Sequence, residues 1–519
     1  MSADKTPFYV TTPIYYVNDV PHIGHAYTTL ACDMLARFKR LDGHEVFFLT
    51  GTDEHGQKVQ KSAAQAGVDP QAFCDRVSER FKVLLDAMNF SNDQFIRTTE
   101  DRHKRAAQDL WRRIADNGHI YLDSYAGWYA VRDEAYYAES ELTRAADGSL
   151  LAPTGAPVEW VEEESYFFDL SKWQQPLLDL YDRRPDFVKP HSRLNEVRSF
   201  VAGGLRDLSI SRTTFDWGVP VPDAPGHIMY VWIDALTNYL TALDYPETGA
   251  GSAYDRFWPQ ALHMVGKDIL RFHAVYWPAF LMAAGLEPPH RVFAHGWWTK
   301  EGQKISKSLG NVLDPFDLVE RFGRDPVRYF MMREVPFGND GDFSTDGFVG
   351  RCNADLANGI GNLAQRTLSM IHKNCAGAVP EPETLTDDDL AFLAHVDAAL
   401  DDVRPHIDAQ APHLALEAIW ARVSAGDGYI SAQAPWTLKK TDPARMATVL
   451  YVTAEAVRQI AILMQPIVPE AAASLLDQLG QGADDRRFDR LGAGHRLTPG
   501  IAIAKPQGVF PRIEAEAGV

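Results

Sequence analysis

Apolar and polar residues follow two different periods in the first part of the chain. The run FYVTTPIYYV at 8–17 is β-branched and aromatic, which is typical of a buried strand. Residues 24–41 have the period of an amphipathic helix, and HEVFFLTGTDEHG at 44–56 is a second apolar strand that ends in glycine, threonine and aspartate. The order strand, turn, helix, strand predicts the opening of a parallel α/β sheet.

This alternation is interrupted between about residues 118 and 212. The interruption contains short aromatic pieces, glycines and the acidic run EWVEEESYFFDL at 159–170. Strand and helix patterns resume in HMVGKDILRFHAVYWPAFLMAAG at 263–285 and in RVFAHGWW at 291–298. The pattern therefore predicts a domain inserted into a split sheet.

From residue 352 onward the helical period dominates. This predicts an all-helical domain of about 160 residues. The apolar stretch VLYVTAEAVRQIAILMQPIVP at 449–469 is interrupted by Glu455 and Arg458 and stopped by Pro466, so we expect a packed helix and no membrane span. A chain of 519 residues is too long for one hydrophobic core, which agrees with several domains.

Composition narrows the function classes. The balance of 51 basic against 70 acidic residues gives a net charge of −19, which argues against a nucleic-acid surface spread over the whole molecule. Any nucleic-acid contact must then be a local patch. The four cysteines have no metal-ligand spacing and the N-terminus lacks the apolar core of a signal peptide, so we expect a cytoplasmic protein.

Two histidines, His22 and His25, follow the first predicted strand at the start of the helix. A histidine in such a place is more often a cap or a packing residue. A helix start, however, has unpaired N–H groups and a positive dipole end, and Gly24 between the two lets a base or phosphate approach the backbone. The arrangement predicts a site for a nucleotide phosphate.

Two lysines, Lys304 and Lys307, lie in the loop GQKISKSLGN after the last apolar strand of the resumed pattern. Lysines in a surface loop are usually only solvated. In an open parallel sheet, however, the ligand crevice lies at the carboxyl ends of the strands, so both motifs are expected to face one phosphate-bearing ligand. Ammonium groups in a mobile loop suit charge that moves onto a departing pyrophosphate.

HIGH at 22–25 and KISKS at 304–308 resemble the two signatures of class I aminoacyl-tRNA synthetases, with Ile305 where methionine is usual. YVTTPIYYVNDVPHIGH, LTGTDEHGQK, YVWIDALTNY, MVGKDILRFHAVYWPA and ESYFFDLSKW resemble the methionyl branch of that family along nearly the whole chain. The resemblance implies a Rossmann-like parallel-sheet catalytic domain, split by an inserted connective domain and followed by an all-helical anticodon-binding domain. The implied divisions are 1–117 and 213–297 for the two catalytic halves, 118–212 for the insert, 298–351 for the KISKS loop and stem-contact region, and 352–519 for the helical domain.

The resemblance also implies site residues. His22, His25, Lys304 and Lys307 would be catalytic, and Gly24, Asp268 and Arg212 would join them at ATP. The methionine pocket would comprise Ile14, Asp53, Trp232, Ala235, Leu236, Tyr239, Ile269, Phe272, His273 and Trp277, with Asp53 holding the substrate ammonium. The spacing of its aromatic residues is compatible with an apolar cage for a thioether, although such residues are more often plain core.

In the helical domain, Asn362 and Arg366 lie four residues apart on one helix face, and Trp436 follows a proline. Amide, guanidinium and indole groups suit the recognition of single-stranded RNA by hydrogen bonding and stacking, although alone they would more often be ordinary surface and core residues. By resemblance these three residues would read the anticodon.

The insert departs from many relatives. GWYAVRDEAYY has Ala130 and Asp133 where one zinc-binding cysteine pair would fall, and LLAPTGAPVEW offers no cysteine. We therefore expect an insert without zinc that is held by its aromatic residues. The end of the chain soon after the helical domain predicts a monomer, because the resemblance places a dimerisation module later in some relatives.

The implied reaction joins methionine to ATP as an adenylate and then transfers the acyl group to initiator and elongator tRNA(Met). Mg²⁺ would accompany ATP, held largely by phosphates and water. Leucyl, isoleucyl and valyl enzymes share both signatures, but their editing inserts are larger than these 95 or so residues. A non-catalytic tRNA-binding or scaffold protein is the other alternative, and it would need neither signature.

Overall fold

The first part of the chain forms one side of a parallel sheet. The computed structural model describes residues 5–17, 20–133, 135–145, 147–305 and 311–514. The elements in chain order are β1 (Pro7–Thr11), β2 (Tyr15–Tyr16), α1 (Ile23–Leu41), β3 (Glu45–Asp53), α2 (Gln57–Gln65), α3 (Pro70–Ala87), β4 (Gln94–Arg97) and α4 (Asp101–Asp116). Strand β3 pairs in parallel with β1, β2 and β4.

The next elements form the insert and the return from it. They are β5 (Ile120–Ala130), β6 (Ala135–Tyr137), β7 (Thr143–Arg144), β8 (Leu150–Leu151), β9 (Glu159–Phe168), α5 (Gln174–Arg183), β10 (Val188–Lys189), α6 (His191–Ala202), β11 (Leu208–Ser209) and β12 (Ser211–Arg212). The long strands β5 and β9 pair antiparallel along the insert. The rings of Trp128 and Trp160 pack across these two strands with centroids 5.3 Å apart, and those of Tyr129 and Tyr136 pack between β5 and β6 at 4.8 Å.

The chain then completes the sheet. The elements are β13 (Ile228–Met229), α7 (Val231–Leu236), α8 (Asn238–Thr241), α9 (Ala253–Phe257), β14 (Ala261–Gly266), α10 (Trp277–Ala283), β15 (Arg291–His295), β16 (Trp298–Lys300), β17 (Gln303–Lys304), α11 (Pro315–Phe322), α12 (Arg324–Arg333) and β18 (Gly341–Phe343). The strand order of the sheet is β10-β15-β14-β1-β3-β2, with β4 also on β3. Every pairing is parallel, and β1 lies between the two halves.

The last part of the chain is helical. It comprises α13 (Thr345–Cys352), α14 (Asn362–Asn374), α15 (Asp387–Asp397), α16 (Ala399–Asp408), α17 (Pro412–Gln433), α18 (Pro435–Thr441), α19 (Pro443–Met464) and α20 (Pro469–Gln478). Among the described residues, α19 is the one helix long and apolar enough to cross a membrane, and 94% of its most apolar window is buried inside the protein. The parallel sheet, the insert and this helical bundle confirm the predicted fold class.

A buried ion pair joins helix α1 to the helical bundle. Arg328 of α12 and Asp33 of α1 are both fully buried, with Nη2 2.6 Å from Oδ2. The guanidinium also donates to the carbonyl oxygens of Met88, Pro466 and Ile467, the last two just after α19. Burial alone would raise the pKa of Asp33, but the charges of Arg328 and Arg37 hold it below its usual value.

We predict that Arg328→Met lowers the free energy of unfolding by about 3–5 kcal/mol, because the buried Asp33 carboxylate loses its buried partner and keeps only the more exposed Arg37. Denaturant unfolding of the full chain is the measurement. Arg198→Met, which breaks an exposed ion pair with Asp182, is the control and should change stability by less than about 1 kcal/mol. Equal effects of the two substitutions would contradict the prediction.

Candidate active site

The carboxyl ends of the central strands open into a cleft of about 490 Å³. Its walls come from the segment after β1, the start of α1, the end of β3, helices α7 and α8, and the segments that follow β14 and β15. Each lies beyond a strand end or at a helix start next to β1. This is the place where an open parallel sheet binds ligands, because the connections from its central strand diverge there.

The two predicted histidines cap helix α1 reciprocally. The N–H of Gly24 donates to Nδ1 of His22 over 3.1 Å, and the N–H of His22 donates to Nδ1 of His25 over 3.1 Å. Both Nδ1 atoms accept hydrogen bonds, so each neutral ring carries its proton on Nε2. The pair can therefore present two N–H donors at the positive end of a helix.

The environment keeps His25 neutral. Burial, and then the proximity of His22, lower the pKa of His25 well below the usual histidine value. The ring also packs edge-on against Tyr15 and Phe81. Gly24 is required here, because a Cβ at that position would lie 2.9 Å from Cε1 of His22 and would push the ring away.

Eight of the ten residues predicted for the amino-acid pocket line the cleft: Ile14, Asp53, Trp232, Ala235, Leu236, Tyr239, Ile269 and His273. The other two support the wall from behind. Phe272 stacks on Trp232 with centroids 3.7 Å apart, and Trp277 is fully buried with its ring 6.3 Å from that of Tyr239. The predicted aromatic residues thus form one continuous wall, and buried Asp53 adds a carboxylate to the lining.

His273 is held as a neutral acceptor inside this wall. Its Nδ1 donates to the carbonyl oxygen of Ile269 over 3.0 Å, so its Nε2 accepts from the Tyr239 hydroxyl over 2.8 Å. Burial lowers the pKa of His273 to about 4. The ring nitrogens of His273 and the Tyr239 hydroxyl therefore satisfy one another inside the wall.

Asp268 and Gly266 form the opposite rim. Asp268 is exposed, lines the cleft and accepts a hydrogen bond from Nε1 of Trp297 over 3.1 Å. A Cβ on Gly266 would lie 2.5 Å from Oδ1 of Asp268, so glycine lets the carboxylate turn back toward the strand end. An exposed carboxylate in this place is suited to accept from ribose hydroxyls.

Trp297 connects this rim to the predicted lysine motif. Trp297 is 43% exposed and its ring lies near two cations, with Nζ of Lys267 at 4.4 Å and Nζ of Lys304 at 5.7 Å from the ring centroid. Cation–π contact of this kind holds an ammonium group near the cleft without neutralising it. Lys307 lies outside the described residues.

Aromatic side chains surround Arg212, which the resemblance assigns to ATP. It is buried, with its guanidinium 4.8–5.7 Å from the ring centroids of Tyr230, Tyr136 and Tyr129. It donates to the hydroxyl of Ser209 and the carbonyl oxygen of Ser211. Arg212 is not among the described residues that line the cleft. The three tyrosines and the strands β11 and β12 enclose it.

Sequence reasoning missed several residues of the cleft, among them Thr28, Lys58, Asp133, His295 and Trp297. His295 ends β15 and accepts from the hydroxyl of Thr28 over 2.7 Å, while its own Nδ1 donates to the carbonyl oxygen of Gly296. The sequence did contain a signal for His295 and Trp297, because they lie at or just after the carboxyl end of the strand predicted in RVFAHGWW. Asp133 could not have been found, since it reaches the cleft from the insert.

The predicted RNA-reading residues lie together on the helical bundle. Asn362 is exposed at the start of α14, and Arg366 follows one turn later. The guanidinium of Arg366 lies 5.0 Å from the ring centroid of Trp436, which is 45% exposed on α18. The cluster thus offers an amide, a cation and an aromatic face to solvent.

Metal-type side chains do not cluster in the part of the chain that the structure describes: no group of three or more histidine, cysteine, aspartate or glutamate side chains is placed to hold a metal ion.

Comparison with known proteins gives matches along the full length. The family model described as tRNA synthetases class I (M) matches residues 8–368, and the model described as the anticodon binding domain of methionyl tRNA ligase matches residues 379–518. The methionine–tRNA ligase of Mesorhizobium japonicum is 58% identical over 518 residues, which cover 100% of this chain and 99% of the relative.

Solved structures are similar as well. The methionyl-tRNA synthetase of Mycobacterium tuberculosis in complex with methionyl-adenylate has a TM-score of 0.95 at 55% identity, covering 98% of this chain and 100% of that one. Its apo form has a TM-score of 0.90 at 52% identity, covering 99% of this chain and 100% of that one.

We predict that the ring of His25 keeps its proton on Nε2 and stays neutral between about pH 6 and pH 8, because burial and the cap oppose a second proton. Nitrogen-15 NMR of ring-labelled protein measures this, with His25→Ala to assign the signal. As pH falls through the usual histidine range, the unfolded chain binds this proton before the folded one, so His25 lowers stability there. A titration midpoint at or above the usual histidine pKa would contradict the assignment.

Proposed function

The chain belongs to the methionyl-tRNA synthetase family of class I aminoacyl-tRNA synthetases, and from that membership we propose how its cleft performs the reaction. The activity is that of a methionine–tRNA ligase, which uses ATP to activate L-methionine and charges tRNA(Met) for protein synthesis. The observation that carries the site assignment is that capped histidines, a buried carboxylate and an aromatic wall meet in one cleft. The full-length relatives named above are methionine–tRNA ligases, so the leucyl, isoleucyl, valyl and scaffold alternatives are set aside.

Methionine would bind with its ammonium group at Asp53 and its side chain against the wall that Trp232, Tyr239 and Leu236 form. A flexible thioether makes favourable contacts with aromatic rings, and an apolar pocket excludes charged amino acids of similar length. Because Asp53 is buried at the end of β3, a bound ammonium group would compensate its charge in a place that water reaches poorly.

In the first step an oxygen of the methionine carboxylate attacks the α-phosphorus of ATP. The bond between that phosphorus and the bridging oxygen breaks, and pyrophosphate leaves with the electron pair. The Nε2–H groups of His22 and His25 would donate to the phosphate oxygens, and Lys304 would neutralise the leaving group from the rim. Lys307, Asp268 at the ribose and Arg212 at the phosphates remain proposals from the family resemblance.

The second step transfers the acyl group to the terminal ribose of tRNA. A ribose hydroxyl, the 2′-hydroxyl by class, attacks the carbonyl carbon, AMP leaves, and the hydroxyl proton passes to AMP or to water. No side chain of this cleft is assigned to that proton. The relative bound to methionyl-adenylate supports placing the shared intermediate in this cleft.

Mg²⁺ would enter with ATP and would lower the charge of its phosphates. Cleft carboxylates such as Asp133 and Asp268 are already hydrogen bonded, so phosphate and water oxygens fit the ion better than a protein cage does. Asn362, Arg366 and Trp436 would read the anticodon. The domain divisions predicted from the sequence remain proposals, as does a zinc-free, cytoplasmic monomer that charges both initiator and elongator tRNA.

We predict that His22→Ala and His25→Ala each lower the rate of adenylate formation by roughly 30- to 1000-fold, equivalent to about 2–4 kcal/mol of lost transition-state stabilisation. Rapid-quench measurement of methionyl-adenylate gives the rate. Equilibrium binding of methionine is the control, and it should change little because the pocket wall is built from other elements. An unchanged adenylation rate in a folded variant would refute the assignment.

We predict that Trp436→Ala weakens charging of tRNA by about 5- to 150-fold, since one base–aromatic stack contributes about 1–3 kcal/mol. Methionine-dependent pyrophosphate exchange should stay nearly intact, because that reaction needs no tRNA. The matched control is Trp420→Ala, in which a buried tryptophan of the same bundle is lost together with its hydrogen bond to the Asp355 carbonyl oxygen. That control should lower the melting temperature and both activities, and the same pattern in Trp436→Ala would remove the anticodon assignment.

A further inference from the structure

A buried carboxylate lies behind the amino-acid pocket between two imidazoles. Oδ2 of Asp234 is 2.7 Å from Nδ1 of His55, and Oδ1 is 2.8 Å from Nε2 of His103. All three side chains are at most 3% exposed. Burial alone would raise the pKa of Asp234, but the two histidines lower it to about 2, so both rings donate to an ionised carboxylate.

None of these three residues lines the cleft, yet two of them adjoin residues that do. His55 follows Asp53 by two positions in the segment after β3. Asp234 lies on α7 between Trp232 and Ala235, which both line the cleft. The His55–Asp234 hydrogen bond therefore links the segment that carries the pocket carboxylate directly to the helix that carries the pocket wall.

His103 donates a hydrogen bond to the same carboxylate from a different helix. It lies on α4, and its Nδ1 is 3.1 Å from the hydroxyl of Thr241 on α8. It completes the hydrogen bonding of Asp234 without touching the segment after β3. The two histidines thus have separable roles, one toward the pocket and one toward the body of the protein.

The segment after β3 is also fixed from its other side. Glu54 is fully buried, and its carboxylate accepts two hydrogen bonds from Arg97 and one from Thr99. Nε1 of Trp217 donates to the Glu54 carbonyl oxygen, and the Trp217 ring packs edge-on against His55. These contacts hold the segment in the sheet, while the distance from the segment to α7 depends on His55.

We propose that His55 and Asp234 are positioning residues that set the distance between the Asp53 carboxylate and the Trp232 wall, and thereby the preference for ligands that carry both an ammonium group and an apolar side chain. The inference rests on the proposed role of Asp53 toward the substrate ammonium. A hydrogen bond to a charged group contributes about tenfold or more to binding, and a carboxylate displaced from the ammonium group loses that contribution. Loss of the bond should therefore reduce recognition of the ammonium group more than packing of the side chain.

The test compares two ligands that differ only in the ammonium group: L-methionine and its deaminated analogue γ-(methylthio)butyrate. Their dissociation constants are measured by calorimetry on the full chain without ATP. We expect His55→Ala to weaken methionine by about tenfold or more and the analogue by less than about twofold. His55→Asn should restore most of the difference, because an asparagine amide places an N–H near the position of Nδ1.

The chain supplies a matched control in a second histidine–aspartate pair. Nδ1 of His119 is 3.1 Å from Oδ1 of Asp169 at the base of the insert, and neither residue lines the cleft. His119→Ala should leave both dissociation constants unchanged. If it reproduces the loss of methionine binding, the effect is a general consequence of losing a histidine–aspartate pair and the proposal is overturned.

Other outcomes are equally decisive. Equal weakening of both ligands by His55→Ala, no weakening in a folded variant, or failure of His55→Asn to restore the difference would each overturn the proposal. If His55→Ala does not fold, Asp234→Asn replaces it and must reduce the methionine preference. A wild-type chain that binds both ligands equally would show instead that the role of Asp53 is wrong, and the inference would fall with it.

Discussion

The described strands of the central sheet all run in one direction and bring the chemistry of this protein to a single edge of that sheet. Strand β1 lies between β3 and β14, so the chain builds one half of the sheet on one side and returns to build the other half across it. The connections on the two sides diverge, and the start of α1 points into the gap between them. Asp53, Asp268 and His295 lie at or beyond the carboxyl ends of different strands, and the parallel direction is what makes them neighbours.

The electrostatic design of the cleft follows from that geometry. Groups fixed in its walls are neutral or hydrogen bonded: His22 and His25 are capped at Nδ1, and His273 is tied between Ile269 and Tyr239. The exposed cation Lys304 lies at the rim beside Trp297, where it remains hydrated. A cation buried in the wall would cost desolvation in every state of the reaction, whereas a cation at the rim can follow charge as it develops. Helix α1 is meanwhile fixed at its middle by Arg328, so the same helix faces the cleft at one end and joins the helical bundle through its side.

The sequence was informative wherever a signal is local. The helix predicted over 24–41 is observed over 23–41, and the strand predicted over 44–56 is observed over 45–53, because apolar period and chain punctuation are properties of neighbouring residues. Contacts between distant segments carry no such signal. The bond from Asp234 to His103 spans 131 residues, and no pattern around either residue indicates the other. Arg212 shows the same limit, since the three tyrosines around it come from separate segments and no pattern near Arg212 indicates them.

At the tip of the insert the predicted aromatic contacts are present, but polar contacts that the sequence pattern does not indicate are present as well. Aromatic pairs hold strands β5, β6 and β9 together, as the composition of the insert predicts, but the turn between β5 and β6 depends on a polar residue. Asp133 accepts hydrogen bonds from Tyr137 and Thr154, and Arg132 donates to the Thr154 carbonyl oxygen above a small core of alanines. Each such bond contributes only about 0.5–1.5 kcal/mol net, so the tip is held by several weak contacts that act together. Because Asp133 also lines the cleft, the hydrogen bonds that order the insert and the shape of the substrate site depend on the same carboxylate.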